Sequence, residues 1–144
     1  MPDRPEDPDG PPLHVARVPV RWGDMDALGH VNNMSFVRYA EQARVEVLDA
    51  LGPDWTAGAD GGPLVVALRA EYRRPVVYPA VVLVALHVGH VGRTSFRLDG
   101  VMALEGDDGP AVARVDATLV WAARATGRPA PLPDAVRRSL TAAP

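Results

Sequence analysis

The chain has 144 residues, 47% of them apolar and 23% charged, with a formal net charge of -3, a balance that suits one domain with a packed core. The charge is spread along the sequence, which argues against a nucleic-acid surface or a polybasic membrane patch. All 15 basic residues are arginine and there is no cysteine, so disulfides, thiolate nucleophiles, cysteine-ligated zinc and Schiff-base chemistry are excluded.

Residues 1–12 hold Asp3, Glu6, Asp7 and Asp9 among five prolines. That is the opposite of the basic and then apolar profile of a secretory leader. It reads as a disordered tail on a cytoplasmic protein, with residues 13–144 as a single domain. From Leu13, Val18 and Val20 alternate with Arg17 and Arg21, which predicts a short strand closed by Gly23. Residues 33–51 contain neither glycine nor proline, and Gly52-Pro53 follow as a stop, which predicts one long helix. On that helix Phe36, Val37, Tyr39, Ala40, Ala43, Val47, Leu48, Ala50 and Leu51 fill one arc, opposite Arg38, Gln42, Glu46 and Asp49, so a broad face packs against a sheet. Arg44 falls inside this arc with Glu41 at its rim, and the cost of a lone buried charge predicts that the two pair.

Four strand-like runs follow without another helix between them. In residues 64–72 strict alternation puts Leu64, Val66, Leu68, Ala70 and Tyr72 on one face and Arg69 and Glu71 on the other, a half-exposed strand. Residues 81–91 are apolar almost throughout, as in a central strand, and Gly89 to Gly92 offer a bulge or turn into residues 93–104. After the turn Gly106-Asp107-Asp108-Gly109-Pro110, Ala113, Val115, Ala117, Leu119 and Trp121 alternate with Arg114, Asp116 and Thr118, giving another strand. Pro129, Pro131 and Pro133 then precede a short helical stretch, residues 134–140, that caps the periphery. The most apolar stretch, residues 76–86, is broken by Pro79 and falls short of the roughly 20 residues that span a bilayer. The sum is an α+β protein, one long helix wrapped by a curved, mostly antiparallel five-stranded sheet.

Chemistry concentrates where the first strand hands over to the helix. Asp24, Asp26, His30, Asn32 and Asn33 lie within ten residues. The string Asp24-Met25-Asp26-Ala27-Leu28-Gly29-His30-Val31-Asn32-Asn33, followed by Phe36, Tyr39 and Glu41-Gln42-Ala43-Arg44, resembles the 4-hydroxybenzoyl-CoA thioesterase-like family of hotdog-fold proteins. Tyr72-Arg73-Arg74-Pro75, Gly92-Arg93-Thr94-Ser95 and Gly127-Arg128-Pro129 with Pro133 extend the likeness to about residues 14–140. The resemblance implies a hotdog domain and hydrolysis of an acyl thioester carried by coenzyme A or a carrier protein. It also implies homodimers or homotetramers with sites at subunit interfaces, and coenzyme A enters as part of the substrate, with no other cofactor expected.

Thioester hydrolysis needs an attacking oxygen near the carbonyl carbon and donors where charge develops on the carbonyl oxygen. The resemblance assigns the catalytic carboxylate to Asp26, as nucleophile or as general base for water; the competing reading is an aspartate that only shapes a turn. Asn33 opens the helix, so its backbone N–H is positioned for the carbonyl oxygen, while its side chain reads as an ordinary cap. His30 could orient Asp26 or bind the carbonyl, or simply pack the loop, and Asn32 could hold water or the loop. Asp24 would support Asp26 or, more simply, pair with Arg21 or cap the turn. Glu41 anchors the helix and is the fallback acid. Thr94 and Ser95 could present a hydroxyl across a subunit interface, and Arg73, Arg74 and Arg93 could bind coenzyme A phosphates. His87 and His90, three apart in a strand, point to opposite faces and do not make a metal pair.

Two further classes compete. A hotdog hydratase or dehydratase would use an acid and a histidine, here Asp24 and His30, although Met25-Asp26-Ala27 interrupts that enzyme's usual spacing. A noncatalytic acyl-thioester-binding module would keep the fold without turnover. The three serines, Ser35, Ser95 and Ser139, argue against a serine hydrolase, since none lies in a G-x-S-x-G elbow.

Overall fold

The computed structural model describes residues 6–52, 55–56 and 58–142; the expected stop at Pro53 and the acid at Asp3 lie outside them. Strand β1 (His14–Pro19) leads through a 3-10 turn (Trp22–Asp24) into helix α1 (Asn33–Ala50). Strands β2 (Gly61–Tyr72), β3 (Val81–Val91), β4 (Ser95–Leu104) and β5 (Ala113–Ala123) follow, and helix α2 (Asp134–Thr141) closes the chain. The five strands form one sheet in the order β1-β3-β4-β5-β2, and every pairing is antiparallel. The expected α+β arrangement is therefore present. Among the described residues no helix is long and apolar enough to cross a membrane.

Helix α1 starts where an asparagine can satisfy its free amides. The Asn32 side-chain oxygen accepts the Met34 N–H at 2.8 Å, so the cap is Asn32, one residue before the expected position, and Asn33 is the first helical residue. At the other end Gly52 adopts φ +89°, the left-handed conformation that ends helices. Phe36, Tyr39, Ala40, Ala43, Val47 and Leu48 are buried against the inner face of the sheet, where Val82, Val84, Leu86, Phe96, Leu98, Met102, Val115, Ala117 and Leu119 complete the core. Each large side chain removed from water there contributes about 1.5–3 kcal/mol. Ala50, placed in the arc by periodicity, is exposed, whereas its neighbour Leu51 is in the core.

Arg44 is buried as expected at 6% exposure, but its expected pairing with Glu41 does not form. Glu41 instead meets the exposed Arg38 at 3.4 Å. Burial lowers the Arg44 pKa, and only the field of Glu41 opposes it.

Strand β2 departs from simple alternation. Val65 pairs with Leu119 and Ala67 with Thr118, so Val66 is an extra residue in a bulge. The bulge shifts the phase by one. Leu68, Ala70 and Tyr72 oppose the inward Ala117, Val115 and Ala113, whereas Leu64 opposes Val120 on the outer face. The expected common face of Leu64 and Leu68 is thus split. Nor is the strand half-buried: Leu64, Val65, Val66, Leu68 and Tyr72 are 55%, 43%, 59%, 47% and 44% exposed. Helix α1 packs under β1, β3 and β5 and reaches β2 through the edge-on contact of Phe36 with Tyr72.

Of the segment expected as a disordered tail, residues 1–5 lie outside the described residues, and in the remainder both Asp7 carboxylate oxygens accept bonds from Arg73 at 2.8 Å.

Gly100 marks the tightest approach inside the sheet. A Cβ there would lie 2.7 Å from the Val115 carbonyl oxygen and 3.2 Å from Leu86 Cδ2. Gly100→Ala is therefore expected to cost about 1–3 kcal/mol, read from urea unfolding midpoints; an unchanged midpoint would contradict the close approach.

Candidate active site

The loop from Asp24 to Asn32 is held by its own backbone. The Asp26 N–H donates to the His30 carbonyl at 3.0 Å, the Gly29 N–H to the Asp26 carbonyl at 3.0 Å and the Asn32 N–H to the Asp24 carbonyl at 2.8 Å, with Met25 bridged to Val31. Gly29 takes φ +80° at the tip, where a side chain would be strained. The Val31 N–H then donates to the Val76 carbonyl at 2.8 Å, tying the loop to the segment after β2.

This brings Asp26 into an open cavity of about 380 Å³ shared with Leu28, His30, Asn33, Phe36 and Tyr72. The carboxylate is oriented on both oxygens. Oδ1 accepts the Leu28 N–H at 2.9 Å and Oδ2 accepts the Asn32 side-chain amide at 3.2 Å. Asn32 thus spans two tasks, capping the helix with its oxygen and holding Asp26 with its nitrogen. The Asn33 N–H, in the first helical turn, meets no acceptor among the described residues, and Asn33 lines the same cavity. A helix start offers such a free donor at its positive end. Tyr72, whose place beside the motif no spacing rule in the sequence indicated, lines the cavity and donates its hydroxyl to the Asn33 carbonyl at 2.9 Å.

Asp24 faces away from this cavity. Its Oδ2 accepts the Arg21 backbone N–H at 2.9 Å and the hydroxyl of the buried Tyr39 at 2.7 Å, and its carbonyl also accepts the Ser35 hydroxyl at 3.2 Å. The acid is an anchor for the loop. It contacts the Arg21 main chain, where a pairing with the Arg21 side chain was one expectation. Burial raises the Tyr39 pKa, and the bond to the Asp24 carboxylate raises it further, with Arg21 opposing weakly. A phenol whose folded pKa is raised loses its stabilising contribution as pH rises above its ordinary value of 10.0 towards the folded one. Tyr39→Phe should therefore flatten the fall of stability above about pH 10 while costing about 1–3 kcal/mol at neutral pH through the loss of a hydrogen bond to a charged oxygen. Denaturant titrations across the alkaline range check both; an unaltered alkaline slope would contradict the buried bond.

The remaining candidates separate. Arg73 and Arg74 line the Asp26 cavity but are engaged: Arg73 by Asp7 and by Glu71 at 2.9 Å, Arg74 by Asp107 at 2.7 Å. The bond to Asp7, and then that to Glu71, raises the Arg73 pKa against burial. Glu41 lines a different groove, between β1 and α1, with Arg17, Arg21, Asp24, Arg38 and Tyr39. Arg93, Thr94 and Ser95 lie beyond the far end of β3, whose 11 residues span about 35 Å; within one chain they do not meet Asp26. Among the described residues no group of three or more His, Asp or Glu side chains is placed to hold a metal ion.

Comparison with known proteins gives this geometry a context. The structure superposes on the PA2801 protein of Pseudomonas aeruginosa with a TM-score of 0.84 at 40% identity, covering 90% of this chain and 99% of that one. For the PA5185 protein of the same species the TM-score is 0.82 at 29% identity, with 90% of each chain covered. A thioesterase of Thermus thermophilus, solved in complex with coenzyme A and Zn, matches with a TM-score of 0.76 at 34% identity over 90% of this chain and 92% of its own. The fold is the hotdog, the helix wrapped by its sheet. Residues 20–140 match the family model described as the thioesterase-like superfamily, and the chain belongs to that superfamily.

Proposed function

We propose that this chain hydrolyses acyl thioesters carried by coenzyme A, with Asp26 supplying the attacking oxygen, either its own or that of a water it deprotonates. The observation that carries the reading is the presence of an oriented carboxylate and the free Asn33 N–H in one cavity. The thioester carbonyl oxygen would accept the Asn33 N–H as negative charge develops on it, and collapse of the tetrahedral centre breaks the C–S bond. The leaving thiolate takes the proton that Asp26 removed from water or, where Asp26 itself attacks, a proton from solvent, and a water then cleaves the acyl–Asp26 anhydride. His30, exposed at the rim, is assigned to the same carbonyl or to the attacking water. The complex of the Thermus thermophilus relative with coenzyme A supports that carrier over a carrier protein.

Occupation of Asp24 by Tyr39 and Arg21 favours hydrolysis over hydration, since an Asp24–His30 proton-exchange pair would need that carboxylate to face the substrate.

The working unit in this proposal is a homodimer joined edge to edge along β2. That strand is unpaired on one side within the chain and exposes apolar side chains on both faces from Leu64 to Leu68, a combination that solitary edges avoid. Ser95 pairs with Val120 and Val120 with Leu64, so Thr94 and Ser95 share the end of the sheet where β2 begins. Tyr72 and the Asp26 cavity sit where β2 ends. An antiparallel second copy would bring those hydroxyls towards the first copy's cavity, as the predicted interface site requires.

The test is to incubate the full chain with aryl, short-chain and long-chain acyl-CoAs while following free thiol and enoyl absorbance together. Thiol release without enoyl change is the expected result. Enoyl change alone would move the assignment to hydration, and binding without either would make the chain a noncatalytic module.

A further inference from the structure

Arg44 is 6% exposed, yet among the described residues no acceptor bonds its guanidinium. A buried cation left alone is costly, so the fold calls for an anion from outside the chain. The rest of α1 indicates its source. Tyr39 and Glu46 turn one flank of the helix towards β1 and the turn after it, through bonds to Asp24 and His14. Along the other flank, on the side of the β2 edge, Met34, Val37, Glu41, Arg44, Leu48 and Leu51 follow one another at alternating spacings of three and four. That is the spacing of a helix–helix seam.

Read from either end, the seam runs apolar, apolar, charged, charged, apolar, apolar. It is symmetric about a point between Gln42 and Ala43, so a second copy laid antiparallel sets Met34 against Leu51, Val37 against Leu48 and Glu41 against Arg44. A two-fold contact requires self-complementarity of this kind. Its level agrees with the sheet. Phe36 meets Tyr72, and the centre of the seam lies about 10 Å further along α1. The same distance back along β2 covers about three residues and ends beside Leu68, so one axis can serve helix and strand together. The flank is also available: Met34 is 61% exposed, and the 3.4 Å contact of Glu41 with Arg38 lies in solvent, where such a pair is released at little cost.

We propose that α1 is a self-recognition element: two copies pack their helices antiparallel across the β2 edge, and Glu41 of each pairs with Arg44 of the other at the centre of an apolar seam. The proposal deepens the β2-edge dimer and rests on that reading for the place of the second copy. The apolar pairs on either side exclude water, while the charges fix direction and register. A parallel pairing would set Arg44 against Arg44, and a slipped one would set it against an apolar side chain.

The test is charge exchange in the full chain, read as the dimer dissociation constant by analytical ultracentrifugation. Glu41→Arg and Arg44→Glu each place like charges at both pair positions and are expected to weaken association roughly a hundredfold. The double variant Glu41→Arg/Arg44→Glu restores opposite charges and should return to within about tenfold of wild type, and a mixture of the two single variants should form a heterodimer. Because Glu41 is exposed, Glu41→Arg keeps the fold and reads the pair even where Arg44→Glu unfolds. Wild-type association in Glu41→Arg overturns the pairing while leaving the β2 edge contact, which Leu68→Asp reads, in place. Single variants that dissociate, with a double variant and a mixture that stay apart, also overturn it, because the two charges then act separately. A wild-type monomer overturns it together with the dimer. A dimer that responds as expected but releases no thiol keeps the pairing and removes the hydrolase reading.

Discussion

A Leu68→Asp variant is expected to behave as a folded monomer and to release thiol from acyl-CoA roughly a hundredfold more slowly than wild type, the penalty of a misplaced site wall. Leu68 lies mid-strand on β2 with 47% of its surface exposed, so the free chain tolerates a carboxylate there with little change in stability. In the proposed dimer the two-fold axis brings the substitution in twice. Removing each carboxylate from water costs on the order of 2 kcal/mol, and two together weaken association by about a thousandfold. In this proposal activity falls with it even though Asp26, Asn32 and Asn33 are untouched, because the partner would complete the cavity. Light scattering coupled to size exclusion, with thiol release on the same fractions, reads both effects. A dimeric Leu68→Asp protein, or a fully active monomer, would sink the β2 interface.

Much of this architecture is legible in the residues because local rules and packing agree. The glycine- and proline-free run with its apolar arc marks α1, and the apolar stretch that begins at Val81 reads as the interior strand it is. Reading fails where a single residue breaks a period or where a contact spans the chain. The bulge at Val66 leaves no trace in composition, since valine suits a regular strand as well as an irregular one. Asp7 meets Arg73 across 66 positions, and no spacing rule reaches so far. The same holds for the site: Asp26 and Asn33 are found from the motif, whereas Tyr72, 39 residues from Asn33, joins them only through the fold. Glu41 and Arg44 show the opposite failure, where helical spacing allowed a pair that does not form, Arg44 being buried and Glu41 meeting the exposed Arg38.

Asp26→Asn should remove turnover with little loss of structure. Asparagine keeps an oxygen for the Leu28 N–H, and the new amide nitrogen sits opposite Asn32. The Asn32 amide cannot simply turn over, because its oxygen caps α1, so the expected stability cost is about 1 kcal/mol. What is lost is the negative charge and the basic lone pair needed to attack the carbonyl or to activate water, worth about 10²–10⁴-fold in rate. The measurement that bears most directly on the account is thiol release from one acyl-CoA by wild type and by folded Asp26→Asn at equal concentration. The account predicts steady turnover in the first and a rate lower by roughly a thousandfold in the second; equal rates in the two proteins would contradict it.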